Sequence, residues 1–300
     1  MTIASSANVA ETEAWLPVAD DWLALAVILM LLLCAGVEAR MPYLRPGLRL
    51  VKDSYLTNLT LFLFNDITLS VLSIPALYLV AERFSDHGVL NRLPHAWPKY
   101  VLSFLLMDLA MYGWHWLTHQ VDGLWRFHRV HHSDPTLNVT TGLRFHGVEL
   151  CLEALVRILF IAIIGVGAGV VLVMQTVMAI FVLFHHTNVT FPHERRWGWI
   201  FIVPRLHRVH HSVLRAEHDS NYGAVFSWWD RLFGTLRDQE PTAIGLADAG
   251  VISVRELLGQ WSRLWRRPGE ALDWLQGALM RGNYLLRPVY ARQHDKGERG

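Results

Sequence analysis

Residues 126–134 read RFHRVHHSD, and residues 205–213 read RLHRVHHSV. The two segments agree at seven of nine positions, a repetition of a motif rather than of a fold. Each carries histidines at i, i+3 and i+4: His128, His131 and His132 in the first, His207, His210 and His211 in the second. On a helix these positions share one side, so the spacing predicts two short helices, each aiming its imidazoles at one point. Upstream, His115 and His119 stand four apart at the end of an apolar run, with Asp108 and Tyr112 continuing their face toward the N-terminus. An aspartate inside an apolar helix is costly and usually paired, which makes Asp108 a candidate to orient a ligand histidine from behind.

Taken alone, an HxxxH pair reads most simply as two histidines at a helix end. Together with the triads it brings the number of imidazoles to eight. That is more than one ion can use and enough for two ions. Imidazole suits zinc, copper, iron and nickel, so the chain is read as a binder of two transition-metal ions. The segment FHHTNV at residues 184–189 adds His185 and His186; His186 is the candidate ninth ligand, with Asn188 near the site. His146, in LRFHGVE, is read as structural or as standing behind the ligands, close enough to pair with Glu149. His193 and His218 are expected at the surface, and His87, His95 and His294 fall outside the pattern.

Composition supplies the setting. Of 300 residues, 52% are hydrophobic and only 18% charged, against about 25% charged in an ordinary soluble domain. Net charge is +1, too balanced for nucleic-acid binding. The two cysteines, Cys34 and Cys151, form no CxxC pair, which excludes a disulfide framework or a cysteine-based zinc site. Sixteen histidines are present, thirteen of them between His115 and His218. The expected fold class is therefore all-α: a multi-span integral membrane helical bundle with a histidine-rich di-metal site at its cytoplasmic face.

A span needs roughly 20 mainly apolar residues. Residues 22–37 are the clearest candidate, residues 56–81 a second interrupted by Asn65, Asp66 and Pro75, and residues 100–117 a third. Residues 150–185 are too long for one span and carry GVGAG at their middle, which predicts a helical hairpin of two spans or a shallow re-entrant pair. Residues 1–21 hold no Lys or Arg, whereas Arg40, Arg45, Arg49 and Lys52 follow the first span. The positive-inside rule then places the N-terminus outside and every histidine cluster on the cytoplasmic side. With no basic region before the first apolar run, no cleaved signal peptide is expected. The expected divisions are 1–98, an N-terminal transmembrane region; 99–237, a catalytic domain; and 238–300, a tail. Within the tail, residues 253–267 and 270–281 read as amphipathic helices lying on lipid headgroups or packing on the cytoplasmic domain.

The HxxxH, HxxHH and HxxHH order, with NYG at residues 221–223 and WDRLFGT at 229–235, resembles the fatty acid hydroxylase/sterol desaturase superfamily over residues 102–236. This resemblance implies an integral membrane enzyme with a histidine-bound centre of two iron ions. Such an enzyme uses dioxygen and two electrons to hydroxylate or desaturate a lipid C–H bond. It carries metal binding to His115, His119, His128, His131, His132, His207, His210 and His211, with zinc able to substitute for iron. His186, in its HTN setting, resembles a histidine of ether-lipid monooxygenases. Asn221 of the NYG stretch joins Asp108, His146 and Asn188 as a residue expected to support the ligands.

The remaining expectations concern partners and competitors. No Gly-rich dinucleotide fingerprint or cysteine cluster set is present, so electrons are expected from a separate electron-transfer protein. Trp114, Trp116, Trp125 and Phe127 are expected to line a lipid entry from the bilayer. A zinc hydrolase is disfavoured by the absence of HExxH, a transporter by ligands at one face instead of the midplane, and a haem protein by the number of histidines. The alternative kept open is a non-catalytic or zinc-dependent membrane metal-binding protein.

Overall fold

The computed structural model describes residues 5–246, apart from 73, 94 and 95. Among these residues the fold is all-helical, with two isolated bridges, Phe201 to Phe226 and Ser212 to Ile244. The long helices are α1 (Ser5–Arg40), α2 (Leu48–Leu72), α3 (Ile74–Phe84), α4 (Ala96–Gln120), α6 (Gly147–Ile164) and α7 (Ala168–His186). Between and after them come α5 (Asp122–His132), α8 (Glu194–Trp197), α9 (Pro204–His210), α10 (Arg215–His218) and α11 (Trp228–Leu232). The tail segments 253–267 and 270–281 lie outside the described residues.

Sequence punctuation explains the breaks. Pro75 stands in the first turn of α3, where its missing N–H leaves no hydrogen bond unmade. The expected hairpin is α6 and α7, and Gly165 closes α6 with φ +75°, a conformation costly for a side-chain-bearing residue. Space demands glycine as well. A Cβ on Gly165 would stand 2.4 Å from the Gly88 Cα, and one on Gly88 would stand 2.0 Å from the Ile164 carbonyl oxygen. The two glycines let the turn before α4 and the hairpin tip meet backbone to backbone.

Apolar packing then orders the bundle. Ala81 of α3, Met107 and Met111 of α4, Ile161 and Ile164 of α6, and Val171, Met174 and Met178 of α7 form the main core. α1 runs along α7, with Cys34 and Leu183 buried between them. Among the described residues, two helical segments are long and apolar enough to cross a membrane, Asp21–Arg40 within α1 and Ala168–His186, which is α7. Outward faces elsewhere are apolar too. Leu155, Leu159 and Ile163 form an exposed i, i+4, i+8 stripe on α6, and Leu56, Leu63 and Ile67 lie exposed on α2. This packing brings the ends of α4 and α7 together with α5 and α9, the two triad helices.

Candidate metal centre

Both triads form helices as their spacing predicts, but neither aims its three imidazoles at one point. His128 and His132 join His115, His119 and His210 in one group, whose five ligand nitrogens lie within 4.8 Å of one another. His207 and His211 join His131 and His186 in a second group that meets the same limit. Each triad thus gives its i, i+4 pair to one group and its i+3 histidine to the other. The reason is angular: on a helix, i and i+4 lie about 40° apart, whereas i+3 lies on the far side of i. The two groups interlock, with the His132 and His211 rings stacked at 4.6 Å.

Proton bookkeeping shows that these rings are arranged for cations. His115 Nδ1 lies 2.8 Å from the Tyr222 carbonyl, His210 Nδ1 2.7 Å from that of Ser220, and His186 Nδ1 2.7 Å from that of Val182. His131 Nδ1 faces the Arg144 carbonyl at 3.3 Å. A carbonyl only accepts, so each Nδ1 carries the proton of a neutral ring and each Nε2 presents a lone pair. Yet the Nε2 atoms of His186 and His131, both lone-pair bearing, face each other at 3.0 Å, and His207 Nε2 stands 2.9 Å from that of His186. Lone pairs opposed at that distance repel unless a cation lies between them. An ion about 2.0–2.1 Å from each imidazole nitrogen fits such spacings. The Nε2 atoms of His115, His119 and His210 are likewise buried without a hydrogen-bond partner. The residues present fit a pair of metal ions.

Burial keeps the rings neutral. It lowers the His128 pKa to about 3 and those of His131, His132, His207, His210 and His211 well below the ordinary value, with neighbouring imidazoles adding to the effect at the last five. Neutral imidazole is the ligand form, so the site loses no protons to accept a metal.

The surrounding residues hold the rings in ways that correct several expectations. Asp108 is fully buried but meets no histidine; it accepts from the backbone N–H groups of Val225 and Phe226 and from Trp229 Nε1. It anchors the 222–229 loop, and that loop delivers the Tyr222 carbonyl to His115. Asn188 is two residues from His186 yet pairs with both backbone groups of Leu44, at 2.8 Å each, fastening the α1–α2 linker to the end of α7. Glu149 turns to His128 Nδ1 at 2.6 Å, not to His146, whose own Nδ1 caps α6 at Val148. His218, expected at the surface, is buried, donates to the Ser212 carbonyl and stacks on Trp125. His193 is exposed as expected.

Asn221 shapes the loop behind two of the histidines. It adopts φ +55°, which asparagine tolerates better than most residues. Its side chain bridges the Leu206 and Arg237 backbones at 2.8 Å, locking the loop in which Ser220 and Tyr222 present their carbonyls to His210 and His115. Asp230 supports the same loop, accepting from the N–H groups of Tyr222 and Gly223.

Other expected residues scatter. Trp114 packs on the bundle core, Phe127 on His146, and Trp125 against His119 and His132, so they do not form a common wall. A separate apolar hollow of about 200 Å³ is lined by Phe184, Phe191, Trp197, Phe201 and Val203.

A buried polar scaffold went unread in the sequence. Asp134 accepts from Ser54, Asn58, Thr136 and Thr141. Arg144, also fully buried, donates to the Val130 carbonyl, Ser133 and Asn58. Burial would raise the Asp134 pKa, but the Arg144 charge and these donors hold it below the ordinary value. The available signal was the polar run SDPTLNVTTGLR at 133–144, dense in hydroxyls within an apolar chain.

Comparison with known proteins agrees with this geometry, for the fatty acid hydroxylase family model matches residues 100–235. Residues 100–235 are the part of the chain similar to that family. The matched segment contains all nine histidines of the two groups. The chain is 32% identical to ornithine lipid hydroxylase of Rhizobium tropici over 183 residues, 59% of this chain and 54% of that protein. It is 27% identical to human alkylglycerol monooxygenase over 220 residues, 61% of this chain and 48% of that protein. Against human cholesterol 25-hydroxylase it is 27% identical over 157 residues, 48% of this chain and 56% of that protein. The chain spans about half the length of the curated relatives it matches. No solved structure matches it significantly.

Proposed function

We propose that this protein is a membrane monooxygenase that hydroxylates a C–H bond of a bilayer lipid at a centre of two iron ions. His115, His119, His128, His132 and His210 would hold one ion, and His131, His186, His207 and His211 the other. The observation that carries this reading is the pair of interlocked, buried histidine groups with opposed lone pairs. The relatives, named as hydroxylases and monooxygenases of lipids, favour hydroxylation over desaturation. The reaction balances as R–H + O2 + 2 electrons + 2 protons giving R–OH + H2O. A bound iron pair would supply dioxygen binding and reduction, while the chain keeps the ligands neutral, fixes their lone pairs and excludes water from the centre. Electrons come from a separate carrier protein.

The surrounding architecture in this proposal is a multi-pass membrane region over 1–98, a catalytic domain over 99–237 and a tail over 238–300. The exposed apolar faces of α2 and α6 support more than two spans. The run of basic residues after the first span supports a cytoplasmic metal centre, where reduced carriers are available. Cysteines introduced at Ser5 and Lys296 should label from opposite sides, Ser5 from outside. Labelling of both from one side defeats this span count, and an external Lys296 with an internal Ser5 defeats the placement beside the reductant.

The function itself is tested on intact protein in mild detergent. Elemental analysis should find close to two transition-metal ions per chain, with zinc replacing iron after overexpression. With a reductant system and 18O-labelled dioxygen, lipids extracted from the expressing membranes should gain one labelled oxygen atom. Folded protein holding one metal or none, or a product whose oxygen comes from water, refutes the reading.

A further inference from the structure

The two histidine groups are held by different chemistry behind the ligands. In the five-histidine group, His128 Nδ1 lies 2.6 Å from the Glu149 carboxylate, and His119 Nδ1 lies 3.2 Å from that of Asp219. His115 and His210 in the same group lean on the Tyr222 and Ser220 carbonyls. Four of its five rings therefore have an anchored Nδ1, two of them against a carboxyl group. In the four-histidine group the anchors are two neutral carbonyls, those of Arg144 and Val182, for His131 and His186. The Nδ1 atoms of His207 and His211 are buried with no hydrogen-bond partner. Among the described residues, no carboxylate backs any ring of that group.

We propose that the two metal positions are unequal by construction: the five-histidine group, backed by Glu149 and Asp219, is the tight site, and the four-histidine group is the exchangeable one. This rests on the two-metal reading above and adds a ranking to it. A carboxylate on Nδ1 fixes the tautomer, restrains the ring and raises the basicity of Nε2 toward the metal. The dication on one nitrogen and the carboxylate across the ring stabilise each other. Glu149 is the stronger partner, since its side chain is 3% exposed. Asp219 is 20% exposed and shares its charge with Arg215. A ring with an orphaned Nδ1 has no outer partner to fix its tautomer or to raise the basicity of its Nε2, so His207 and His211 release an ion at lower cost. Glu149 and Asp219 are positioning residues: they act on the ion through the histidines they hold.

The test is a chelator titration of the full chain in detergent, loaded with zinc as a redox-silent probe, with bound metal read by elemental analysis. The wild-type protein should release its two ions in two steps separated by about 10–100-fold in chelator concentration, the range by which such outer partners change metal affinity. Glu149→Gln should move the tight step toward the loose one by a similar factor. Asp219→Asn, at a part-exposed position, should move it in the same direction by less, and serves where Glu149→Gln fails to fold. His211→Ala should abolish the loose step and leave the tight one in place. Release of both ions in a single step overturns the ranking, as does a tight step unmoved in every folded carboxylate variant. Loading below two equivalents before any chelator is added defeats the two-metal reading itself.

Discussion

His131→Ala and His210→Ala should each abolish oxygen-dependent lipid hydroxylation, and the double variant should be no worse than either single one. The two histidines come from different triads and lie in different groups, His131 with the four and His210 with the five. An additive picture of independent ligands predicts a compounded loss. A centre in which both ions act together predicts none, because residues that work as a unit are strongly non-additive. His87→Ala is the control, since His87 is exposed and outside both groups. Product formation is followed by mass spectrometry of extracted lipid, with gel filtration establishing that each variant remains folded. Retention of most activity by folded His210→Ala would remove the second triad from the ligand set.

Arg144→Met should lower stability by about 3–5 kcal/mol, since it leaves buried acceptors at Val130, Ser133 and Asn58 without their donor, at about 1–3 kcal/mol each, and removes the positive charge that offsets Asp134. Asp134 would stay buried beneath its hydroxyl and amide donors but lose the nearby positive charge. The Val130 carbonyl and Ser133 at the end of α5 would lose their donor at the same time. For a chain of this size the unfolding midpoint should fall on the order of 10 °C, measured by thermal shift in detergent. Adding Asp134→Asn should recover part of that loss, because no unpaired charge then remains. A midpoint unchanged in Arg144→Met would mean that Arg144 does not brace the first triad.

These two expectations differ in how visible their residues were. Histidine positions were legible because ligand spacing on a helix is local: i, i+3 and i+4 specify a side of one element whatever it packs against. Pro75 and Gly165 were legible for the same reason, since backbone breaks are written in single residues. Arg144 and Asp134 were not, because ten residues of chain separate them and only the fold returns one to the other. Asp108 shows how a correct local inference can miss its partner. An aspartate within an apolar helix needed a hydrogen-bond donor, and that donor turned out to be the backbone of Val225, over a hundred residues away.

By itself, then, the sequence determined an all-helical chain with apolar segments, two triad helices, the HxxxH pair and enough imidazole for two ions. Each of these follows from periodicity or composition, which nearest neighbours express. Only the tertiary structure decided that each triad divides two and one, that His186 joins His131, His207 and His211, and that Glu149 backs His128 instead of His146. The physical reason is angular. Ring positions about 60–100° apart on one helix go to different groups, and which neighbour each one meets is set by where the other helices end.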